Sequence, residues 1–401
     1  MMKKIFTPLF LLLVAASNLV AQNVDDQKLV FKYFQLPTNP IKGQSFYSVV
    51  VDHSVYTKSN EDSLALYNNN PNSYQAQMNR WLDDVKKIDK AYFLEMAKWE
   101  KATNAGQVMA QPPKQPYPPM PNVTTISTPI LTSEMSENVI NSNVNIGGMT
   151  KGFEGVIVTL QPQGFQAAKI IEKKTGTGAT TKYEYSSSYK MPIKVTVEVP
   201  GQGIIFNEIL NNDVKTKAIN SYASRYEYEF WKTDNYLTYW EAAQKTALTD
   251  ALTTVNNRLN DMYGTYLVTR VTEAFTVKKY QNHDYGDLIE AFTQAKQGYD
   301  KLFININKAE AIPYLRNAIS IWEKALAEHT GAKKERVTDK VFSLLCVNIA
   351  EAYLWLDEFS QAEIYILKAI QKGNAFDRYR GIAEKLQPLV NNQKARFLAN
   401  Q

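Results

Sequence analysis

The 401-residue chain contains a single cysteine, Cys346, so it can form no disulfide of its own and must be held together by packing. Histidine is equally scarce. His53, His283 and His329 are scattered, and none has a partner at metal-ligand spacing, so neither a metal nor a cofactor is expected. The formal net charge of +5 is small and evenly spread, which argues against a nucleic-acid partner. Catalytic signatures are missing as well. There is no Gly-x-Ser-x-Gly and no His-Glu-x-x-His, and GTGAT at 176–180 lacks the Lys-Ser/Thr of a phosphate-binding loop, so it reads as a hairpin turn. Asp52 and His53 are neighbours in strand-like text, where adjacent side chains point to opposite faces. Cys346 sits among Leu344, Leu345 and Val347, as a buried small hydrophobe would. Carboxylates are plentiful, but no local context marks an acid pair for a hydrolase. No catalytic residue is assigned, and the expectation is a protein that is not an enzyme.

What the chain does have begins at its N-terminus. MMKKIFTPLFLLLVAASNLVAQ combines a short basic region with an apolar stretch too short to span a bilayer, followed by small residues. That is the pattern of a secretory signal peptide over 1–21, cleaved after Ala21 to leave Gln22, with Val14-Ala15-Ala16 as an alternative cut. No cysteine lies near residue 22, and no later stretch is apolar enough to cross a membrane. The mature chain is therefore expected to carry neither a lipid anchor nor a transmembrane segment. Its length, about 380 residues, leaves room for two or three domains.

A mixed α+β domain is expected over 22–280. Strand-like text fills 28–57, and a helix is expected over 73–102. Its apolar residues Tyr74, Met78, Trp81, Val85, Ile88, Tyr92, Met96 and Trp99 recur every three or four positions and form one stripe. Residues 111–121 hold six of the 16 prolines and read as a stiff linker. Extended text resumes after Val123 and includes a hairpin over 193–210 around PGQG. A second long helix is expected over 234–263, ending at Gly264, and a strand over 265–279. The tyrosines of YEYSSSY and SRYEYEFW alternate as strand residues do. From 284 to 401 the pattern is helical only, in segments 285–303, 308–328, 336–355, 358–372 and 377–398, the last broken at Pro388.

Within the helical part, Ala350, Tyr353, Phe359, Ala362, Ile366 and Ala369 follow a small–aromatic–aromatic–small order across a short turn, Leu356-Asp357-Glu358. This order resembles the tetratricopeptide repeat family. Cys346 stands where that family often has tryptophan. A weaker copy, Leu315, Ala318, Trp322 and Ala325, lies upstream, with Ala318 and Ala362 44 residues apart against a family period of about 34. The resemblance implies an all-α array of helical hairpins over 284–401 that binds protein on the face lined by the first helix of each pair. Here that face would include Val347, Glu351, Leu354 and Trp355. Leu354 and Trp355 are open to two readings: a peptide-binding patch, or packing under the last helical segment.

The sequence thus leads to the expectation of a non-enzymatic exported scaffold or adaptor that binds an envelope protein through its C-terminal repeats. The alternative is a glycan or peptidoglycan binder that uses a tyrosine-rich sheet surface. The signal-peptide junction and the Asn/Tyr/Lys-rich text resemble secreted proteins of Bacteroidota. In such a diderm cell the default compartment is the periplasm, with association with an outer-membrane complex as a variant.

Overall fold

The computed structural model describes residues 23–113, 115–121, 129–279, 281–332, 334–372 and 378–401. The expected signal peptide, its Gln22 junction and the text immediately after Val123 lie outside these residues. Strands β1 (Asn23–Gln35) and β2 (Phe46–Val51) precede helices α1 (Ser54–Asn69), α2 (Tyr74–Asn104) and α3 (Glu137–Asn143). Strands β3 (Thr150–Lys151), β4 (Val156–Pro162), β5 (Gln166–Thr175), β6 (Lys182–Lys190), β7 (Ile193–Val199), β8 (Gly203–Leu210) and β9 (Lys215–Tyr222) follow. The long helix α4 (Arg225–Tyr263) leads to β10 (Tyr266–Lys279). The described chain then closes with α5 (Gly286–Tyr299), α6 (Ile312–Leu326), α7 (Asp339–Trp355), α8 (Phe359–Lys372) and α9 (Arg378–Ala399). The protein is mixed α+β, as its patterning implies.

Three local expectations are corrected. Ser54–Thr57, expected as strand, opens α1, because the Asp52 carboxylate accepts the Ser54 N–H and turns the chain there. SRYEYEFW does not alternate on a sheet: α4 begins at Arg225 and buries Tyr228, with Tyr226 and Phe230 left exposed. Pro388 breaks nothing. It lies inside α9, where the packing of Ala383, Leu386 and Val390 outweighs one missing hydrogen bond.

The described residues divide into two compact units. One comprises the chain up to Ser45, Ile146–Thr150 and Arg258–Gln401; the other comprises Phe46–Asn145 and Lys151–Asn257. In the first unit β1 and β10 form an antiparallel ribbon, paired from Val24↔Val277 to Gln35↔Tyr266. Leu29, Phe31 and Tyr33 alternate onto one side of β1 and join a single apolar core with the helices α5 to α9. A division near residue 280 therefore does not match the packing, because these strands bury their apolar face on the helices. The helices pack in chain order, each against the next. At the α5–α6 crossing Gly298 allows the approach: a Cβ there would lie 2.7 Å from Leu315 Cδ2.

The second unit holds a five-stranded sheet ordered β3-β2-β4-β7-β8 and a three-stranded sheet ordered β5-β6-β9. β2 runs parallel to β4, which joins early sequence to strands after residue 150. The expected hairpin over 193–210 is β7–β8, and 176–180 closes β5–β6. α4 lays Tyr228 and Tyr239 on the smaller sheet. Tyr228 stacks on Tyr185 at 3.6 Å between ring centroids, and the Tyr239 and Ser187 hydroxyls share a hydrogen bond.

The apolar stripe of α2 is partly shielded by the chain that returns along it through the proline-rich segment, though no residue of α2 is fully buried. Trp81 Nε1 donates to the Pro118 carbonyl at 2.8 Å, Trp99 Nε1 to the Met109 carbonyl at 2.9 Å, and the Tyr117 hydroxyl to Asp89 at 2.8 Å. Partners at 81/118 and 99/109 make the return antiparallel. An extended proline-rich chain has carbonyls that no ladder satisfies, and the indole N–H groups take them.

Candidate binding face of the C-terminal helices

α7 carries all four residues expected to meet a partner, and each is buried: Val347 is 2 %, Glu351 5 %, Leu354 1 % and Trp355 1 % exposed. As an open docking patch, the expected face is therefore corrected. The β1–β10 ribbon fills it. Trp355 lies edge-on to Phe31 at 5.5 Å and tilted over Tyr33 at 4.4 Å, with the Arg270 guanidinium 5.9 Å from its ring centroid. Arg270 makes a two-pronged ion pair with Glu351, Nε to Oε1 at 2.7 Å and Nη2 to Oε2 at 2.9 Å. Trp355 Nε1 donates to the same Oε1 at 2.9 Å. Burial disfavours the Arg270 cation, but the Glu351 hydrogen bonds and charge outweigh it and raise its pKa above the usual arginine value. Tyr299, stacked on Phe31, is held well above the ordinary phenol value by burial.

Sequence reasoning missed Asn348, one position from Val347. Its Nδ2 donates to the Phe275 carbonyl at 2.7 Å and its Oδ1 accepts the Phe275 N–H at 3.1 Å, all within the buried core. The α7 face thus grips an extended strand through its main chain. The same device recurs elsewhere. Asn60 of α1 pairs both main-chain groups of Thr132 at 2.8 Å each, and Gln244 of α4 takes the Leu131 carbonyl and the Ser133 N–H at 2.8 Å each. A side-chain amide presents the same donor and acceptor as a neighbouring strand, and so satisfies buried backbone where no strand reaches.

The residues expected to pack the repeats, Ala318, Trp322, Ala325, Ala350, Tyr353, Phe359, Ala362 and Ala369, are all buried in one core. Glu323 of α6 ties two hairpins together, accepting from the hydroxyls of both Tyr353 and Tyr365 at 2.8 Å. Burial first, then this hydrogen bond, pushes Tyr353 up to about 12 and Tyr365 higher still. Cys346 is fully buried, its thiol pushed up to about 12 by desolvation.

The remaining chemistry is thin. His329 lies 2.8 Å from Glu335 and 3.2 Å from Asp339, with its Nδ1 2.7 Å from the Val337 carbonyl, beside the loop before α7; His53 stands 3.8 Å from Glu137. Among the described residues no group of His, Cys, Asp and Glu is placed to hold a metal ion, and no helix is long and apolar enough to cross a membrane. The sheet tyrosines Tyr185 and Tyr189 turn inward and are buried. Open apolar surface on the C-terminal helices includes the α5–α6 loop, where Phe303 is 47 %, Ile304 42 % and Ile306 52 % exposed, together with Ile289 of α5, Ile364 and Leu367 of α8 and Leu398 of α9. Beside this loop is a cavity of about 280 Å³ whose wall mixes apolar side chains, such as Phe34, Ile306 and Phe397, with the polar Asn307, Lys308, Asp357 and Gln393. No family model, curated protein or solved structure matches the chain.

Proposed function

We propose that this protein is a non-enzymatic exported adaptor that binds an envelope protein through its C-terminal helices, built as tetratricopeptide-like hairpins. The surface that meets the partner is the α5–α6 loop and not the α7 face, which the ribbon occupies. The observation that carries this reading is the clustering of Phe303, Ile304 and Ile306, three roughly half-exposed apolar side chains within four residues. Exposed apolar groups gathered in this way mark an interaction site. Export rests on the pattern of residues 1–21, and the periplasm is the compartment that follows from it in a diderm cell.

The test is cross-linking in the native cell, followed by affinity recovery of the tagged full chain and mass spectrometry. A triple variant, F303S/I304S/I306S, should lose the co-purifying envelope protein by at least about tenfold, as expected when apolar anchors at the centre of a contact are removed. Its circular dichroism should match the parent, since the altered side chains are exposed. Undiminished recovery would place the partner elsewhere on the molecule. Recovery of cell-wall fragments alone would replace the adaptor reading with glycan binding. Deleting 284–401 would be a poor test, because it strips the cover from β1 and β10.

A further inference from the structure

We propose that the free edge of β1 binds an extended acidic segment of a partner protein, which adds to the β1–β10 ribbon as a third strand. The inference rests neither on the α5–α6 loop nor on the adaptor reading. The ribbon is two strands wide, and from Val24 to Gln35 its register runs without a bulge. Asn348 bonds both main-chain groups of Phe275, so these point away from β1, and those of its cross-strand partner Asp26 point away from β10. Alternation along an antiparallel ladder then turns the N–H and C=O of Lys28, Val30 and Lys32 outward too. α7 grips the β10 edge at Phe275, whereas among the described residues no strand joins the β1 edge. A long free edge is a template for pairing with another chain.

A groove of about 240 Å³ runs along this edge, lined by residues 27–31 of β1 and by Lys296, Tyr299 and Asp300 of the α5 side. Side chains alternate between the faces of a strand, and those of Leu29 and Phe31 enter the core. Five consecutive residues therefore share one groove through their main chain, which is the part that an added strand reads. Charge selects the occupant. Lys28 and Lys32 flank Val30, itself 58 % exposed, on the open face, and Lys296 lines the groove against a single carboxylate, Asp300. Glu273 faces Lys28 across the ribbon but is engaged by Arg378 at 2.7 Å. An antiparallel strand paired with Lys28, Val30 and Lys32 sets its own side chains beside theirs on that same face, so acidic, apolar and acidic residues at alternate positions match. A second copy paired about Val30 would instead set Lys28 opposite Lys32, the like-charge contact that keeps edges apart.

The probe is the capped peptide Thr-Glu-Thr-Val-Thr-Glu-Thr, titrated to millimolar concentration into the full chain by isothermal calorimetry. It should bind at least about tenfold more tightly than the same peptide with lysine in place of glutamate. N-methylation of its central valine, whose N–H meets the Val30 carbonyl, should abolish binding. N-methylation of the next threonine, whose N–H faces away from β1, should leave the affinity within about threefold. The double variant Lys28→Glu/Lys32→Glu should reverse the preference and take the lysine peptide; both side chains are exposed, and circular dichroism checks that the fold is kept. Equal affinity for the acidic and basic peptides, equal loss from the two N-methyl groups, or no binding of the acidic peptide would each overturn the proposal without recourse to any variant. A parent dimer in sedimentation that Val30→Lys converts to monomer would assign the edge to a second copy instead.

Discussion

Replacing Trp355 by alanine separates a filled α7 face from an open one. If Trp355 were a surface anchor, its loss would cost binding and leave stability nearly unchanged. In the structure its indole is 1 % exposed and wedged among Phe31, Tyr33 and Arg270. Truncating a core aromatic to alanine costs about 3–5 kcal/mol from lost transfer energy and the residual cavity. Glu351 also loses a charge-assisted hydrogen bond, worth about 1.5–3 kcal/mol, but keeps its two bonds from Arg270 and so is not left as a bare charge. These contributions overlap, so the expected loss is about 4–6 kcal/mol, a large part of the roughly 5–15 kcal/mol that holds a typical domain. Trp355→Phe keeps a ring against Phe31 and should cost about half as much. Urea unfolding followed by near-ultraviolet circular dichroism gives the magnitude, and amide exchange gives the location. Faster exchange is expected at 29–33 and 268–277, because the ribbon loses its anchor. A loss below about 1 kcal/mol, with ribbon amides still protected, would refute the burial argument and return Trp355 to the surface.

Two further outcomes follow from the same core. Asn348→Ala leaves the Phe275 N–H and carbonyl unpaired in the interior, which should cost about 2–5 kcal/mol; Asn348→Asp should not rescue it at neutral pH, since a carboxylate cannot donate to the carbonyl. Urea midpoints for both variants equal to the parent's would show that the amide grip contributes nothing net. At alkaline pH, Tyr353 holds its proton up to about 12, whereas the unfolded chain releases it near about 10. The associated stability is intact below about pH 10 and drains away as the pH rises towards about 12, because only the native state still binds the proton there. Tyr353→Phe should flatten that decline, as measured by denaturant midpoints between about pH 9 and 11; an unchanged slope would assign the alkaline loss to other groups.

Much of the local structure was legible because it obeys a period. The spacing of Trp81, Val85, Ile88 and Tyr92 identifies α2, and PGQG marks the β7–β8 turn within one residue of its observed position. The partial cover on α2 was not legible, since it consists of main-chain carbonyls at 109 and 118 that indoles recognise, and a proline-rich segment has no side-chain periodicity to announce a contact. Tyr226, Tyr228 and Phe230 misled for a related reason: spaced two apart, they fit a strand as well as a helix, and only the burial of Tyr228 beneath α4 against Tyr185 decides between them. The β1–β10 ribbon pairs residues more than 230 positions apart, such as Gln35 with Tyr266, and no single sequence specifies such a pairing.

The fate of the α7 face was nonetheless written in α7 itself. From Leu344 to Trp355 the helix is apolar on nearly every side, including Leu344, Leu345, Val347, Ile349 and Leu354. A repeat helix that offers one side to neighbours and another to a partner should show a polar or mixed stripe; one that is apolar all round must be buried all round. Helices α6 and α8 can cover only part of it, and the ribbon supplies the rest, with Asn348 and Glu351 as the polar groups positioned to meet its backbone and its Arg270. The strands and helices of this unit therefore stabilise one another, and neither is expected to hold its structure without the other. Apolar surface outside this closed core includes the α5–α6 turn. There Phe303, Ile304 and Ile306 remain in solvent.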